Sequence, residues 1–244
     1  MKIDKAILVS TNDSQYLDYW ETVKKAWLKL NIEPILYVIS KESTGINNEK
    51  LFFIDNLNPV FVAQNLRLLI PALYPNDVCI LSDIDMMPLS KKYFQDSISS
   101  ISQDKIVIYR SDATPEEMLP ICWNAAQGNT WGEVFSINNE KDIKTLLESW
   151  YPKKYKPYKK NWYIDQIKLR EYVSNFELKY KNRVKYFTDD DLSFKRLNRD
   201  TLKEDLDDFI KNPKIFFDFH MPRNYQENKS LIKNVFELNF ESHE

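Results

Sequence analysis

The chain has 244 residues, 43% of them hydrophobic, and its 34 basic and 36 acidic residues nearly balance, so it can form a sizeable core and has no charge bias toward nucleic acid. Its three glycines cannot build a GxGxxG dinucleotide loop, and their spacing excludes a GxxxxGK phosphate loop. No apolar run is long enough for a signal peptide or a membrane span, and Cys79 and Cys122 are two isolated thiols among apolar residues, so we expect a cytoplasmic protein.

Strands alternate with helices in the first half of the chain. Apolar runs predict strands at residues 5–10, 34–39, 51–54 and 77–82. Apolar residues at helical spacing predict helices at residues 16–30 and 60–73. This alternation is typical of an α/β fold with a mainly parallel sheet flanked by helices.

The second half of the chain is less regular. It contains a predicted strand at residues 105–109, a capped helix at 138–150 and a helix at 164–176. Residues 122–135, CWNAAQGNTWGEVF, hold two of the three glycines and suggest a tight loop. Of the two histidines, His243 lies next to the C-terminus and is expected to be solvated, which leaves His220 for internal chemistry.

The segment VCILSDIDMMPLS, residues 78–90, ends an apolar run in two aspartates, Asp83 and Asp85. Like charges at this spacing are costly to bury unless a cation neutralises them. On an extended backbone both side chains would point the same way, with Cα atoms about 7 Å apart, into the crevice beyond the strand's carboxyl end. Their oxygen atoms suit Mg²⁺ or Mn²⁺, which would neutralise a diphosphate. The alternative is a pair of solvated turn aspartates before a helix near Pro88.

ILSDIDMMP resembles the DxD segment of nucleotide-sugar glycosyltransferases with the GT-A fold. Further segments occur in the order that this family shows, across roughly residues 1–223: VSTND, AQNLRLL, WYIDQ and FFDFHMPR. The resemblance implies a single GT-A-like catalytic domain, Rossmann-like, with a nucleotide-binding half (1–110), an acceptor and donor-sugar half (111–225) and a C-terminal tail (226–244). The HxxGxxKPW pattern of the glycogenin-like branch is absent, because no glycine follows His220.

The resemblance also implies roles for individual side chains. The implied ligands of Mn²⁺ or Mg²⁺ are Asp85, His220 and Asp83. The implied contacts of the nucleotide-sugar donor, expected to be a UDP-sugar, are Thr11, Asn12, Arg67 and Asp83. The residues implied to face the donor sugar or a glycan-type acceptor are Trp162, Asp165 and Gln166, with Asp165 as the catalytic carboxylate. From the residues alone, each has an alternative interpretation: His220 as a packed core residue, and Asp165 as a helix N-terminal aspartate.

Two aromatic segments are further candidates for ligand contact. Aromatic faces suit sugar rings, amides suit hydroxyls, and glycines permit close backbone approach, so Trp123, Asn124 and Trp131 are candidates for acceptor or donor-sugar binding. Tryptophans that fill a core around a loop are the alternative. The lysine- and tyrosine-rich segment 151–160 has three interpretations: a flap over the donor, a surface that binds RNA or acidic partners, or a solvated loop.

The sequence therefore predicts a metal-dependent glycosyltransferase, and other functions remain open. A haloacid-dehalogenase-like phosphatase would use Asp83 as nucleophile and Asp85 as acid/base. A nucleotidyltransferase would share the metal and the diphosphate but needs an N-terminal glycine-rich loop, and the first glycine here is Gly45. A non-catalytic nucleotide- or sugar-binding protein is the remaining alternative.

Overall fold

The structure, a computed structural model, describes residues 1–159 and 161–241. These residues form ten strands: β1 Lys5–Thr11, β2 Glu33–Ile39, β3 Lys50–Phe52, β4 Val78–Ser82, β5 Met86–Pro88, β6 Ile106–Ile108, β7 Asn124–Gln127, β8 Val184–Tyr186, β9 Lys195–Asn198 and β10 Phe216–His220. Seven strands form one sheet in the order β3-β2-β1-β4-β7-β6-β8. Its first four strands are parallel, and β7 is antiparallel to both of its neighbours. The predicted α/β class with a mainly parallel sheet is confirmed.

Helices connect and cover these strands. Over the described ranges they are α1 Ser14–Leu17, α2 Trp20–Lys29, α3 Pro59–Leu69, α4 Lys91–Phe94, α5 Gly128–Phe135, α6 Glu140–Trp150, α7 Ile164–Lys179, α8 Asp189–Leu192, α9 Leu202–Lys211 and α10 Tyr225–Phe240, with 3₁₀ turns at Ile70–Leu73, Asp96–Ile98 and Pro213–Ile215. The predicted capped helix corresponds to α6, where the Asn139 side chain accepts from backbone N–H groups of the first turn and Asp142 completes a capping box. No helix in the described part of the chain is long and apolar enough to cross a membrane.

The central strand β1 shows why the apolar runs were reliable signals. It lies between β2 and β4, and Leu8 is in register with Leu36 on one side and Ser82 on the other. Its five interior residues are buried. A strand with neighbours on both edges and helices over its faces requires a continuous apolar run, which KAILVS supplies. The parallel strands β1 and β4 therefore end next to each other, at Thr11 and Ser82.

Three segments differ from their predictions. The helix expected over residues 16–30 is divided into α1 and α2. The expected loop at 122–135 is strand β7 followed by helix α5. Gly128 does permit a close approach, but to the protein's own backbone: a Cβ there would lie 2.0 Å from the carbonyl oxygen of Tyr74.

The expected C-terminal tail is mostly an ordered helix. Helix α10 begins at Tyr225, and its buried side chains include Ile232, Val235 and Phe236. Its alternation of apolar and polar residues was too irregular to distinguish from a solvated segment. His243 lies outside the described residues, as does Lys160 of the lysine- and tyrosine-rich segment.

The second sheet, in the order β5-β10-β9, begins immediately after the two aspartates of the DxD segment. Residues 83–85 therefore form the link from β4 of the large sheet to β5 of the small one. Strand β10 pairs antiparallel with β5 and parallel with β9, so that His220 is in register with both Met86 and Asn198. The backbone N–H of Met221 also donates to the carbonyl oxygen of Asp85 (3.0 Å). The small sheet thus holds His220 close to the end of the link.

A buried charge pair lies inside this small sheet. Asp218 on β10 is fully buried. Its carboxylate accepts hydrogen bonds from the guanidinium of Arg196 on β9, at 2.5–3.0 Å, and from the indole N–H of Trp123 (3.0 Å). Trp123 packs edge-on against Trp27 and Phe94 in the core. The pair therefore joins β9 and β10 to the main core.

We expect Arg196→Met to destabilise the protein by about 3–5 kcal/mol, because it leaves the Asp218 carboxylate buried without its cation. Urea unfolding at pH 7 measures this loss. The matched control is Lys195→Met on the same strand, which removes only an exposed ion pair with Asp208 and should change the free energy of unfolding by less than about 1 kcal/mol. Equal effects of the two variants would contradict the structural role of Arg196.

Candidate active site

A cavity of about 560 Å³ opens at the carboxyl ends of β1 and β4. Polar and charged side chains contribute much of its lining: Ser10, Thr11, Asp13, Gln15, Gln64, Arg67, Asp83, Asp85, Asp165, Gln166, Arg199, His220 and Arg223. Its place at the ends of adjacent parallel strands is where open α/β sheets bind ligands. Most of the site residues expected from the sequence meet here, including Trp162.

Arg67 joins two carboxylates on one wall of the cavity. It lies in the last turn of α3, and its guanidinium forms ion pairs with Asp83 and with Asp165, the latter at 2.7 Å. Asp165, in the first turn of α7, also accepts from the backbone N–H of Gln166 (2.9 Å). Burial raises the pKa of the Asp165 carboxyl, and the Arg67 cation opposes that rise. The guanidinium of Arg67 therefore holds the side chains of Asp83 and Asp165 next to each other.

The second aspartate, Asp85, faces a different set of partners. Its Oδ2 lies 3.6 Å from Nε2 of His220 and 3.0 Å from a guanidinium nitrogen of Arg199. Burial alone would raise the pKa of Asp85, but its interactions with His220 and with the Arg199 cation hold the pKa at about 2. Asp85 is therefore ionised throughout the neutral range.

The expectation that the two aspartates would act as a pair on one strand is only partly met. Both line the cavity, but β4 ends at Ser82, so neither lies on a regular strand and the alternation of strand side chains does not apply. Asp83 engages Arg67, whereas Asp85 engages His220 and Arg199. Neither is a solvated turn residue, and Asp83 does not cap a helix: the helix that follows is capped by Ser90.

The side chains present can contribute part of a site for a divalent ion. Within residues 1–159 and 161–241, no cluster of three or more histidine, cysteine, aspartate or glutamate side chains has metal-binding geometry. Asp85 and His220 Nε2 nevertheless both face the cavity. Arg199 already donates to Asp85 Oδ2, and Arg67 engages Asp83. Mg²⁺ and similar hard cations often take one or two protein ligands and complete their shell with substrate phosphates and water. This donor set fits an ion that binds together with a diphosphate.

Aromatic side chains form the mouth of the cavity. Tyr158 stacks on Trp162 with ring centroids 4.3 Å apart, and its hydroxyl lies 3.0 Å from that of Tyr16 on α1. Arg223 lies over the same Tyr158 ring, 5.6 Å from its centroid. The residues before Tyr158 are anchored as well, since Tyr155 packs edge-on against Phe61. The described part of the lysine- and tyrosine-rich segment therefore packs across the cavity and is not a free loop.

Four of the expected contact residues lie elsewhere. Asn12 is exposed and outside the cavity lining, where its neighbours Thr11 and Asp13 are found. Trp123, Asn124 and Trp131 are completely buried. Their N–H groups bond within the protein: the Asn124 amide donates to backbone carbonyls, and the Trp131 indole lies 3.4 Å from the carbonyl of Cys79. Asn124 Oδ1 is buried without a hydrogen-bond partner among the described residues. These three are core residues, which is the alternative that the sequence left open.

The sequence interpretation missed the residues that support Asp85 and His220. Arg199 follows β9, a strand of mixed sequence, KRLN, that has no apolar run to reveal it. Asn198, the last residue of β9, lies 3.1 Å from Nδ1 of His220. Arg223, which lines the same cavity, was not singled out either, although it is the last residue of the FFDFHMPR segment.

The chain resembles glycosyltransferases among solved structures, at low sequence identity. It aligns with the glycosyltransferase GlyE of Streptococcus pneumoniae at 13% identity and a TM-score of 0.48, covering 97% of this chain and 60% of that one. It aligns with the galactosyltransferase LgtC, solved with donor and acceptor sugar analogues, at 10% identity and 0.45, covering 96% and 95%. A third is a glycosyltransferase that acts in glycosylation of the PBCV-1 major capsid, at 9% identity and 0.47, covering 93% and 99%.

No protein-family model and no curated protein matches the sequence. TM-scores below 0.5 are too low for the solved structures to assign a function. The chain also spans only 60% of the GlyE chain. The function therefore has to be argued from the cavity itself.

We expect the ionised Asp85 to add acid-dependent stability in the metal-free protein. Its pKa is lowered from 3.8 to about 2 on folding, so the stabilisation is complete above about pH 5 and is lost as the pH falls from about 5 to 2. A shift of this size corresponds to about 2 kcal/mol. Urea unfolding with a chelator, at pH 5 and at pH 2.5, should show a larger drop for the wild type than for Asp85→Asn. The exposed Asp207→Asn on α9 is the control and should follow the wild type; an Asp85→Asn profile that also matches the wild type would contradict the assignment.

Proposed function

We propose that this protein is a metal-dependent glycosyltransferase with a GT-A-like fold, which transfers a sugar from a nucleotide-sugar donor, a UDP-sugar by expectation, to a glycan-type acceptor. The observation that carries the proposal is the meeting of Asp85 and His220 at the edge of the parallel strands, beside the pair of carboxylates that Arg67 joins. A donor-binding site needs both parts: a position for the diphosphate and fixed polar groups for the sugar.

The size and lining of the cavity support a ligand of this kind. About 560 Å³ lies within the range of roughly 300–1,000 Å³ that small-molecule sites occupy. Carboxylate, amide and hydroxyl groups line it, as binding of ribose and hexose hydroxyls requires. The aromatic mouth formed by Tyr158 and Trp162 offers apolar surface of the type that contacts sugar rings.

The charges of the cavity support a divalent cation. Its lining holds four aspartates, Asp13, Asp83, Asp85 and Asp165, against three arginines, Arg67, Arg199 and Arg223. A cavity with an excess of carboxylates repels a nucleoside diphosphate unless a cation binds with it. Asp85 and His220 would hold the proposed Mn²⁺ or Mg²⁺, which would supply that cation and offset the charge that develops on the leaving diphosphate.

The chain's own residues supply the other functions. Arg223 is exposed at the cavity rim and has no carboxylate partner within the described residues, so its guanidinium is free to contact the diphosphate. Thr11 and Asp13 lie at the end of β1, where they are positioned for the nucleoside. Asp165 and Gln166 face the cavity from the first turn of α7, where they are positioned for the sugar. Because Arg67 occupies Asp165 Oδ2, we propose that this carboxylate orients the sugar.

The phosphatase alternative is disfavoured by the partner of Asp83. A nucleophilic carboxylate must be free to attack phosphorus, and the Asp83 carboxylate is paired with the guanidinium of Arg67. A non-catalytic binding protein would share the whole cavity. Turnover of the donor distinguishes that alternative from an enzyme.

The first test is titration calorimetry of UDP, GDP and CDP, each with and without Mn²⁺. We expect one nucleotide to bind with micromolar affinity in the presence of Mn²⁺, and Asp85→Ala to weaken that binding at least 100-fold by removing a metal ligand. The control is Asp207→Ala, an exposed aspartate far from the cavity lining, which should bind like the wild type. A folded wild type that binds none of the three nucleotides would overturn the proposed function. A donor-hydrolysis screen with sugar esters of the preferred nucleotide then identifies the sugar.

We expect Asp165→Asn to separate catalysis from stability. The variant removes a buried charge but keeps an oxygen that accepts from Arg67, so the midpoint of thermal unfolding should stay the same or rise. Donor turnover should fall by roughly 10²–10³-fold, because the charged group that orients the sugar is gone. The control, Glu171→Gln, removes an exposed carboxylate from the same helix. Full turnover by Asp165→Asn would show that its charge has no part in the reaction.

A further inference from the structure

Asn198 is a polar residue in direct contact with His220 that the roles proposed above do not use. Strands β9 and β10 are parallel, and Asn198 and His220 are register partners at their ends. The Asn198 side-chain Oδ1 lies 3.1 Å from Nδ1 of His220. The register of the sheet therefore fixes this contact, and the buried pair Arg196–Asp218 stabilises the same two strands.

An acceptor at one imidazole nitrogen selects the tautomer of a neutral histidine. A neutral imidazole has one N–H, and an oxygen acceptor at Nδ1 places the proton on Nδ1. The lone pair is then on Nε2, the nitrogen that faces Asp85. The 3.6 Å between Nε2 and Asp85 Oδ2 is longer than an N–H···O hydrogen bond, so no direct hydrogen bond to Asp85 holds a proton on Nε2.

The next residue along the chain supports the other half of the pair. The Arg199 guanidinium donates to Asp85 Oδ2 at 3.0 Å and to the carbonyl of Met221 at 3.3 Å. Its backbone N–H donates to the carbonyl of His220 at 3.0 Å. The adjacent residues Asn198 and Arg199 thus contact His220 and Asp85, respectively. The geometry of the two candidate ligands therefore depends on the end of β9.

We propose that Asn198 is a positioning residue: its Oδ1 accepts the Nδ1–H of His220 and so fixes the tautomer that presents Nε2 to a divalent cation shared with Asp85. This inference rests on the proposed function for the identity of the cation. The tautomer itself is a property of the metal-free protein and can be measured without any ligand.

The direct test is nitrogen NMR of the histidine rings in metal-free protein, at a pH well above the ordinary histidine pKa of about 6.5. The chain has two histidines, so His243→Gln leaves the signals of His220 alone. In this background we expect the Nδ1–H tautomer. Asn198→Asp, which keeps an oxygen acceptor, should retain it, and Asn198→Leu should shift the population toward Nε2–H. An Nε2–H tautomer in the His243→Gln protein would overturn the proposal, whatever the metal does.

The second readout is the affinity for Mn²⁺ in the presence of the preferred nucleotide. We expect Asn198→Leu to weaken Mn²⁺ binding by roughly 10–100-fold, as for other residues that orient a metal-binding histidine, and Asn198→Asp to stay within a few-fold of the wild type. Lys195→Ala, an exposed change on the same strand, is the matched control. Unchanged Mn²⁺ affinity in a folded Asn198→Leu protein would overturn this inference alone. Failure of the wild type to bind Mn²⁺ with any nucleotide would instead overturn the proposed function.

Discussion

The candidate site depends on the two ion pairs that the guanidinium of Arg67 forms with Asp83 and Asp165. Asp165 is almost completely buried, and an unpaired carboxylate in that position would be strongly destabilising. The arginine comes from α3, which packs on β1, so its charge holds the first turn of α7 against the edge of the sheet. One cation thereby joins the end of the large sheet to the helix that carries the expected sugar contacts.

The sequence predicted the large sheet well because its strands have to be apolar. A strand with neighbours on both edges and helices on its faces is buried on all sides and therefore needs a continuous apolar run. The runs that became β1, β2 and β4 have the length that is typical of strands and are too short for helices. The second sheet was harder to predict, since β9 is KRLN and its two basic residues belong to ion pairs that only the fold brings together. The strands of the first half were therefore predictable, whereas the residues that support the site were not.

The wrong candidates have a single physical cause. Trp123, Asn124 and Trp131 have the chemistry of a sugar site, but residue type does not determine whether a side chain faces a cavity or the core. Trp123 illustrates this: its indole N–H donates a hydrogen bond to the buried carboxylate of Asp218, so the tryptophan stabilises the small sheet from the core. Arg67, Asp165 and His220 do line the cavity, in keeping with the rule that charged or titratable groups are rarely placed inside an α/β fold without a partner or a ligand.

The link from β4 to β5 explains why the two aspartates have different partners. A chain that leaves one sheet and enters another cannot keep the regular alternation of a strand, so residues two apart need not share a direction. Asp83 is left beside α3 and becomes a structural partner of Arg67, while Asp85 is carried to the small sheet, where β10 and the end of β9 bring His220 and Arg199 to it. The arginine on each carboxylate offsets the cost of placing that side chain in a partly buried position. Asp85 and His220 both line the cavity, and the proposed cation and its anionic ligand would meet there.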